Sequence, residues 1–318
     1  MDELPDPVAG AGQVVVAVKA CSINYPDVLI IEDKYQMKPP RPFAPGSEIS
    51  GVVESVGEGV TDFKPGDRVL CTTGAGGLVE KIAVPAASLY ALPAERSFEE
   101  GASLLLTYAT SIHALLDRGH LKEGQTLLVL GAAGGVGLAA VELGKAFGAR
   151  VVAAVSSEEK AQACRDAGAD DVVIYGRAPF DKDQSKALAD QFKAVLGAGG
   201  ADVIYDPVSG DVFDESIRCI AFGGRLLVVG FTSGRIATVS VNMPLIKGFS
   251  LIGVRAGEYG RRNPQKGAEN QEAIWRLANE GKLNPRVDKE YPLADWRAAF
   301  DSLAERRVIG KAVIRPDL

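Results

Sequence analysis

The chain has 318 residues, 47% of them hydrophobic and 24% charged, with a formal net charge of −6. That length exceeds what one core usually holds, so two domains are expected, and the composition excludes an intrinsically disordered chain. The spread-out acidity argues against a general nucleic-acid footprint. Behind Met1-Asp2-Glu3 stands no apolar run, and the uncharged stretch Thr126 to Val141 is short and broken by glycines. Neither a secretory signal nor a membrane span is therefore expected. Cys21, Cys71, Cys164 and Cys219 lie far apart without paired spacing, which suits reduced thiols in a cytoplasmic protein better than a disulfide framework.

After a lead-in punctuated by proline and glycine, Gln13 to Ala20 is β-rich. Gly51 to Gly57 and Asp67 to Cys71 read as further short strands, set apart by Gly57-Glu58-Gly59 and Lys64-Pro65-Gly66-Asp67 turns. Residues 1–105 are thus expected to form a twisted, partly closed β-domain. From Ser97 the period changes. Helices are predicted over Phe98–Leu116, Leu138–Phe147, Glu158–Ala167 and Asp190–Leu196. Strands are predicted over Leu127–Leu130, Arg150–Val155, Asp171–Tyr175, Asp202–Tyr205 and Arg225–Val229. This alternation makes right-handed βαβ units and a doubly wound parallel sheet over residues 106–245. The chain is expected to return to the first domain over residues 246–318, with helices at Asn270–Asn279 and Leu293–Ala304 and a closing strand Lys311–Ile314. No internal repeat or low-complexity segment is found.

The most informative stretch runs from Leu127 to Val141: an apolar strand, a glycine turn and the start of a helix. The turn spaces small residues as Ala132-x-Gly134-x-x-Gly137, a dinucleotide fingerprint with alanine in its first slot. Gly134 would let backbone approach a pyrophosphate, Gly137 would let the helix sit close to the strand, and Gly135 and Val136 would turn free N–H groups toward the phosphates.

Taken together, several motifs resemble those of the zinc-free medium-chain dehydrogenases/reductases of the quinone-oxidoreductase (zeta-crystallin-like) branch. They are Pro45-Gly46-Ser47-Glu48 with Gly51-Val52-Val53, Lys64 to Val69, the glycine turn, Tyr205-Asp206-Pro207-Val208-Ser209-Gly210 and Gly310-Lys311-Ala312-Val313. The resemblance covers nearly the whole chain. It implies a GroES-like β-domain plus a Rossmann domain, and a homodimer joined through the nucleotide domain. Family members carry a further strand before Glu3-Leu4-Pro5-Asp6-Pro7, where this chain begins, so a truncated start or an altered domain edge is expected.

No metal is expected. Zinc members of the superfamily place a cysteine where this chain has Asn24 and a histidine where it has Ser47, and neither residue present is a usual zinc ligand. The only histidines are His113, read as a packed helix residue, and His120, read as a loop residue.

The cofactor expected is NADPH. An NAD site carries an acid at the end of the second strand, about 20 residues past the glycines. Here that strand ends in Ser156-Ser157, with Lys160 one turn on. A serine leaves room for a 2′-phosphate and Lys160 adds charge. Ser156-x-x-Glu159 also reads as a capping box, and Glu158 would repel a phosphate. By resemblance, Tyr175 lines the same pocket, Val208, Phe231 and Ser233 hold the carboxamide end, and Lys311 joins the cofactor set. Packing alone is the competing account of Val208 and Phe231.

Hydride transfer needs little from side chains beyond orientation, because the cofactor carries the chemistry. The candidate catalytic set is Asn24, Thr110, which matches the family threonine beside the nicotinamide, and Tyr35. The segment from Ile23 to Tyr35 is similar in spacing to the one that carries the catalytic tyrosine of medium-chain 2-enoyl thioester reductases. A phenol can protonate or bind an enolate, and it can equally be a loop aromatic packed in the cleft. Three functions follow: an NADPH-dependent reductase of quinones or α,β-unsaturated carbonyls, an enoyl-CoA or acryloyl-CoA reductase, or a crystallin-like dinucleotide-binding protein without turnover. For the second speak Tyr35 and the basic residues Arg255, Arg261, Arg262 and Lys266, which could meet coenzyme phosphates.

Overall fold

The first long strand, β1 (Gln13–Ile23), grows from a run of β-branched valines whose side chains are almost wholly buried. The computed structural model describes residues 3–318, so the opening Met1-Asp2 lies outside the described residues. Helix α1 (Tyr25–Ile31) follows β1 directly; Asp27 accepts the N–H of Asn24 at 2.8 Å and Pro26 stands in the first turn. Next come β2 (Glu48–Val56), β3 (Arg68–Thr72), β4 (Lys81–Pro85), β5 (Tyr90–Ala91) and the one-turn helix α2 (Phe98–Gly101), opened by Ser97 and Glu100 bonding reciprocally. Strands β4 and β5 escape the sequence reading because they are short and carry no clear alternation. Each is drawn into the sheet by pairing, Val16↔Ile82 for β4 and Leu70↔Tyr90 for β5.

The single helix expected over Phe98–Leu116 is broken. A Cβ on Gly101 would lie 2.9 Å from Leu92 Cδ1, so the backbone here is pressed onto its neighbours and α2 stops. Helix α3 (Leu105–Ile112) then runs into a wider, π-type turn over His113–Arg118, closed by Gly119 N–H to Ala114 O at 2.7 Å.

The second unit, Thr107–Asn284, alternates as expected. Its elements are β6 (Thr126–Leu130), α4 (Gly135–Ala146), β7 (Arg150–Val155), α5 (Glu158–Asp166), β8 (Asp171–Ile174) and α6 (Lys182–Leu196). Then follow β9 (Ala201–Asp206), α7 (Gly210–Ser216), β10 (Ile220–Val228), α8 (Asn242–Lys247), β11 (Ser250–Gly253), α9 (Ala256–Arg262) and α10 (Pro264–Asn279). All six strands are parallel, in the order β11-β10-β9-β6-β7-β8, so the winding reverses between β6 and β9. Leu128, Leu130, Val152, Ile204 and Leu226 from the sheet share one core with Phe192 of α6 and Phe213 of α7. Helix α6 starts eight residues before the expected Asp190, because Asp181 caps it with Gln184 and its polar first turns hide the period.

The first unit takes up the chain again at Pro285, not near residue 246. Two contacts keep the intervening chain in the second unit. Strand β11 is held in the second unit by pairing with β10, Arg225↔Ser250 to Val228↔Gly253, and Asn270 of α10 donates to Asp117 of the π-type turn at 2.7 Å. The last elements are β12 (Val287–Pro292), α11 (Trp296–Ala304) and β13 (Lys311–Arg315). They complete a mixed sheet in the order β12-β13-β1-β2-β3-β5, with β4 also on β1.

Candidate functional site

In the second unit the turn after β6 is built to be narrow. Gly131 takes φ 58, and a Cβ there would lie 2.5 Å from Val208 Cγ2. Gly137 has no room either, since its Cβ would meet Gly131 O at 2.5 Å and Ala132 C at 2.7 Å, which is the close helix–strand approach the fingerprint implies. Gly134 differs. Its backbone is ordinary, φ −77 and ψ 169, and a Cβ there would meet only Gly131 O at 3.6 Å. The fold itself therefore has space for a side chain at Gly134, and that space is what a phosphate would need. Ala132 is buried under the turn, while Gly135 and Val136 open α4, whose N-cap residue, Gly134, has no side chain to bond the first amides.

The ends of β7 and β8 bring the next set together. Tyr175 N–H donates to Val155 O at 2.8 Å, which sets Tyr175 beside Ser156, and its half-buried ring meets Phe180 edge-on. Lys160 Nζ donates to Ser156 Oγ at 3.3 Å. The cap of α5 is Ser157, which accepts the Lys160 N–H, not Ser156, so the Ser156 hydroxyl is spared that duty. Glu158, expected to repel a phosphate, turns to Arg165 Nη1 at 2.6 Å.

The loops after β9 and β10 are tied to one another. Val208 is buried against the Gly131 turn, and its carbonyl accepts the Ser233 N–H at 2.9 Å. Ser233 Oγ donates to Arg235 O at 3.0 Å, so it shapes its own turn, while Phe231 stands 43% exposed. Asp206, at the end of β9, is wholly buried, and burial pushes its carboxyl up to about 6. Thr110 is half-buried on α3. That helix is held to α4 by Tyr108 OH on Glu142 at 2.6 Å and by Ser111 Oγ on Val136 O at 2.9 Å.

The first unit holds a buried polar cluster. Glu48 Oε2 accepts from Ser22 Oγ at 3.2 Å, Asn24 Nδ2 at 3.4 Å and Lys311 Nζ at 3.4 Å, while Oε1 accepts the Leu106 N–H at 2.9 Å. Lys311 Nζ also donates to Asn24 Oδ1 at 2.5 Å. Lys311, grouped with the cofactor residues on sequence, is thus engaged inside the first unit. An ammonium buried this deeply needs acceptors around it, and Glu48 and Asn24 supply them. Asp27 Oδ2 accepts from Ser47 Oγ at 3.1 Å, Oδ1 has no partner among the described residues, and burial pushes the carboxyl up to about 6. Tyr35 follows α1 in a loop, half-buried. The sequence reading passed over Asp27 and Glu48. Both sit within motifs it quoted, and the missing signal was their burial, which contacts distant in sequence create: the pairing of β2 with β1 and β3 for Glu48 and the approach of Ser47 for Asp27.

His113 is buried, bonded to Asp117 at 2.8 Å and stacked on Tyr259 at 4.3 Å, in keeping with a packed helix residue. Among the described residues no group of three or more His, Cys, Asp or Glu side chains could hold a metal ion, and no helix is long and apolar enough to cross a membrane. The basic stretch is largely neutralised from within: Arg261 and Arg262 bond Glu258, and Lys266 bonds Glu269.

Two family models match the chain, an alcohol dehydrogenase GroES-like domain over residues 10–94 and a zinc-binding dehydrogenase over residues 135–271. A quinone oxidoreductase-like protein 2 homolog of Nematostella vectensis is 39% identical over 96% of this chain and 82% of its own length. A mycobacterial protein solved in complex with NADPH is 30% identical, with a TM-score of 0.88 over 99% of this chain and 95% of that one. The Escherichia coli quinone oxidoreductase, also solved with NADPH, is 28% identical, with a TM-score of 0.86 over 99% and 95%.

Proposed function

Because the chain belongs to the quinone oxidoreductase family of medium-chain dehydrogenases/reductases, we propose that it reduces quinones or other activated α,β-unsaturated carbonyl acceptors with NADPH and without a metal. The observation that carries this reading is the Gly134 turn, which has room the fold does not use, at the N-terminus of α4. NADPH rather than NADH is supported by the pairing of Lys160 with Ser156 beside Tyr175, with Glu158 drawn off by Arg165.

When bound, NADPH supplies the hydride. The amides of Gly135 and Val136 bind its pyrophosphate, and Ser156, Ser157, Lys160 and Tyr175 surround its 2′-phosphate. Val208, Phe231, Ser233 and Thr110 orient the nicotinamide end. In the first unit, Asn24 and the Tyr35 hydroxyl offer hydrogen bonds to the acceptor oxygen as it gains charge. Lys311 contributes indirectly, by holding Asn24. The acyl-CoA reading loses support from the internal pairing of Arg261, Arg262 and Lys266.

A second copy of the chain is the partner we infer. Phe222, Val241 and Leu245 stand 91%, 90% and 83% exposed around β10 and α8, beside the sheet edge β11, where Leu251 is 45% exposed. Apolar side chains exposed together in this way are the mark of an interface. Light scattering should return a dimer, and Leu245→Glu a monomer. The compartment we infer is the cytoplasm.

The deciding experiment is NADPH oxidation with a panel of quinones, enones and acyl-CoA esters, with and without a chelator. Turnover of quinones or enones that survives chelation supports the proposal. Turnover of acyl-CoA esters alone, or activity that tracks a full equivalent of zinc, overturns it.

A further inference from the structure

We propose that Asp206 is a positioning residue: its carboxylate holds the loop after β9 in a strained form that keeps Val208 at the nicotinamide end of the site. This rests on the cofactor reading given above. Asp206 is wholly buried at the end of β9, where the strand order reverses. Its Oδ1 accepts two N–H groups of the loop, from Val208 at 2.9 Å and from Ser209 at 2.8 Å, and its Oδ2 has no partner among the described residues. Ser209 is held at φ 63 and ψ −160, a conformation that favours glycine.

The strain is fixed from a second side. Ser209 Oγ accepts the Ala237 N–H at 2.8 Å, and Val208 O accepts the Ser233 N–H at 2.9 Å. Val208 is thereby pressed to the Gly131 turn, so close that a Cβ on Gly131 would lie 2.5 Å from its Cγ2. One carboxylate thus sets the loop after β9 and, through it, the loop after β10. Charge-assisted bonds to an ionised carboxylate are roughly twice as strong as neutral ones. An amide in the same place would keep the shape and lose the grip, letting Ser209 relax and Val208 move.

The test uses the whole protein. Asp206→Asn and Ser209→Gly are each compared with wild type and with the double variant Asp206→Asn/Ser209→Gly, because glycine adopts φ 63 without being held and Ser209→Gly alone reads the loss of the Ser209 Oγ–Ala237 bond. Two quantities are read: kcat, with its isotope effect using NADPH deuterated at the transferred position, and the Kd for 2′-phospho-ADP-ribose, which lacks the nicotinamide. Asp206→Asn should lower kcat by about tenfold to a hundredfold, raise the isotope effect and leave the fragment Kd within about twofold. The double variant should recover most of the loss. An unchanged kcat, an equal loss in fragment binding, or no recovery in a folded double variant overturns the proposal. If Asp206→Asn does not fold, the double variant decides, by whether its kcat stays near that of Ser209→Gly. A wild-type protein that does not bind 2′-phospho-ADP-ribose is a different failure, that of the cofactor reading itself.

Discussion

Lys160 and Tyr35 carry the two residue-scale predictions. Lys160 Nζ bonds Ser156 Oγ, and the cap of α5 is made by Ser157 with the Lys160 main chain, so trimming the Lys160 side chain spares that cap. Lys160→Ala should weaken NADPH binding and leave NADH binding nearly unchanged. A hydrogen bond to a charged group contributes about 1.5–3 kcal/mol, which is roughly tenfold to a hundredfold in affinity. Titration of both cofactors checks this, and equal loss for both would mean that Lys160 acts through the fold. For Tyr35, the discriminating variant is Tyr35→Phe. If the hydroxyl meets the enolate formed after hydride transfer, turnover of enones should fall by about a hundredfold to a thousandfold, with little change in NADPH affinity. Quinones should suffer only mildly, since a hydroquinone anion is already stable and water supplies its proton. An equal, large drop with both acceptors would make Tyr35 a shaping residue.

At the scale of elements, the β6–turn–α4 unit separates two glycine roles that share one motif. Gly137 is demanded by the protein, because any side chain would strike the backbone of Gly131 and Ala132. Gly134 is not. Gly134→Val should therefore give a folded protein with wild-type circular dichroism that no longer binds NADPH, whereas Gly137→Val should lower the melting temperature as well. Retained NADPH binding in a folded Gly134→Val variant would sink the assignment of this turn. Element bounds were legible where the local pattern was strong. Strand β7 is apolar along its length and was predicted with its observed bounds, Arg150–Val155. Helix α6 begins with polar turns whose only announcement is the Asp181–Gln184 cap.

Across the whole molecule, each unit buries a carboxylate that burial disfavours in its charged form: Asp27 in the first and Asp206 in the second, both raised from 3.8 to about 6. Between about pH 6 and pH 4 the folded state binds these protons before the unfolded chain does, so both groups destabilise the protein above pH 6 and cease to as pH falls. Asp27→Asn removes one of them. Its stability relative to wild type should therefore decline by about 2 kcal/mol between pH 8 and pH 4.5, measured by urea unfolding. A pH-independent difference would mean that Asp27 is ionised in the folded state at its ordinary value.

Local signals in the sequence were enough for the alternation of the second unit and for the narrow glycine turn after β6. Each of these is a matter of residue type and spacing along a few turns of chain, which backbone geometry converts directly into structure. The rest was decided by contacts distant in sequence. Pairing with β10 keeps β11 in the second unit and moves the return of the chain to Pro285. Pairing of β1 with β2 and β13 buries Glu48 and draws Lys311 to Asn24 across the first unit. Burial depends on which strands meet, and a charged residue reads the same in sequence whether it ends in water or beside a buried ammonium.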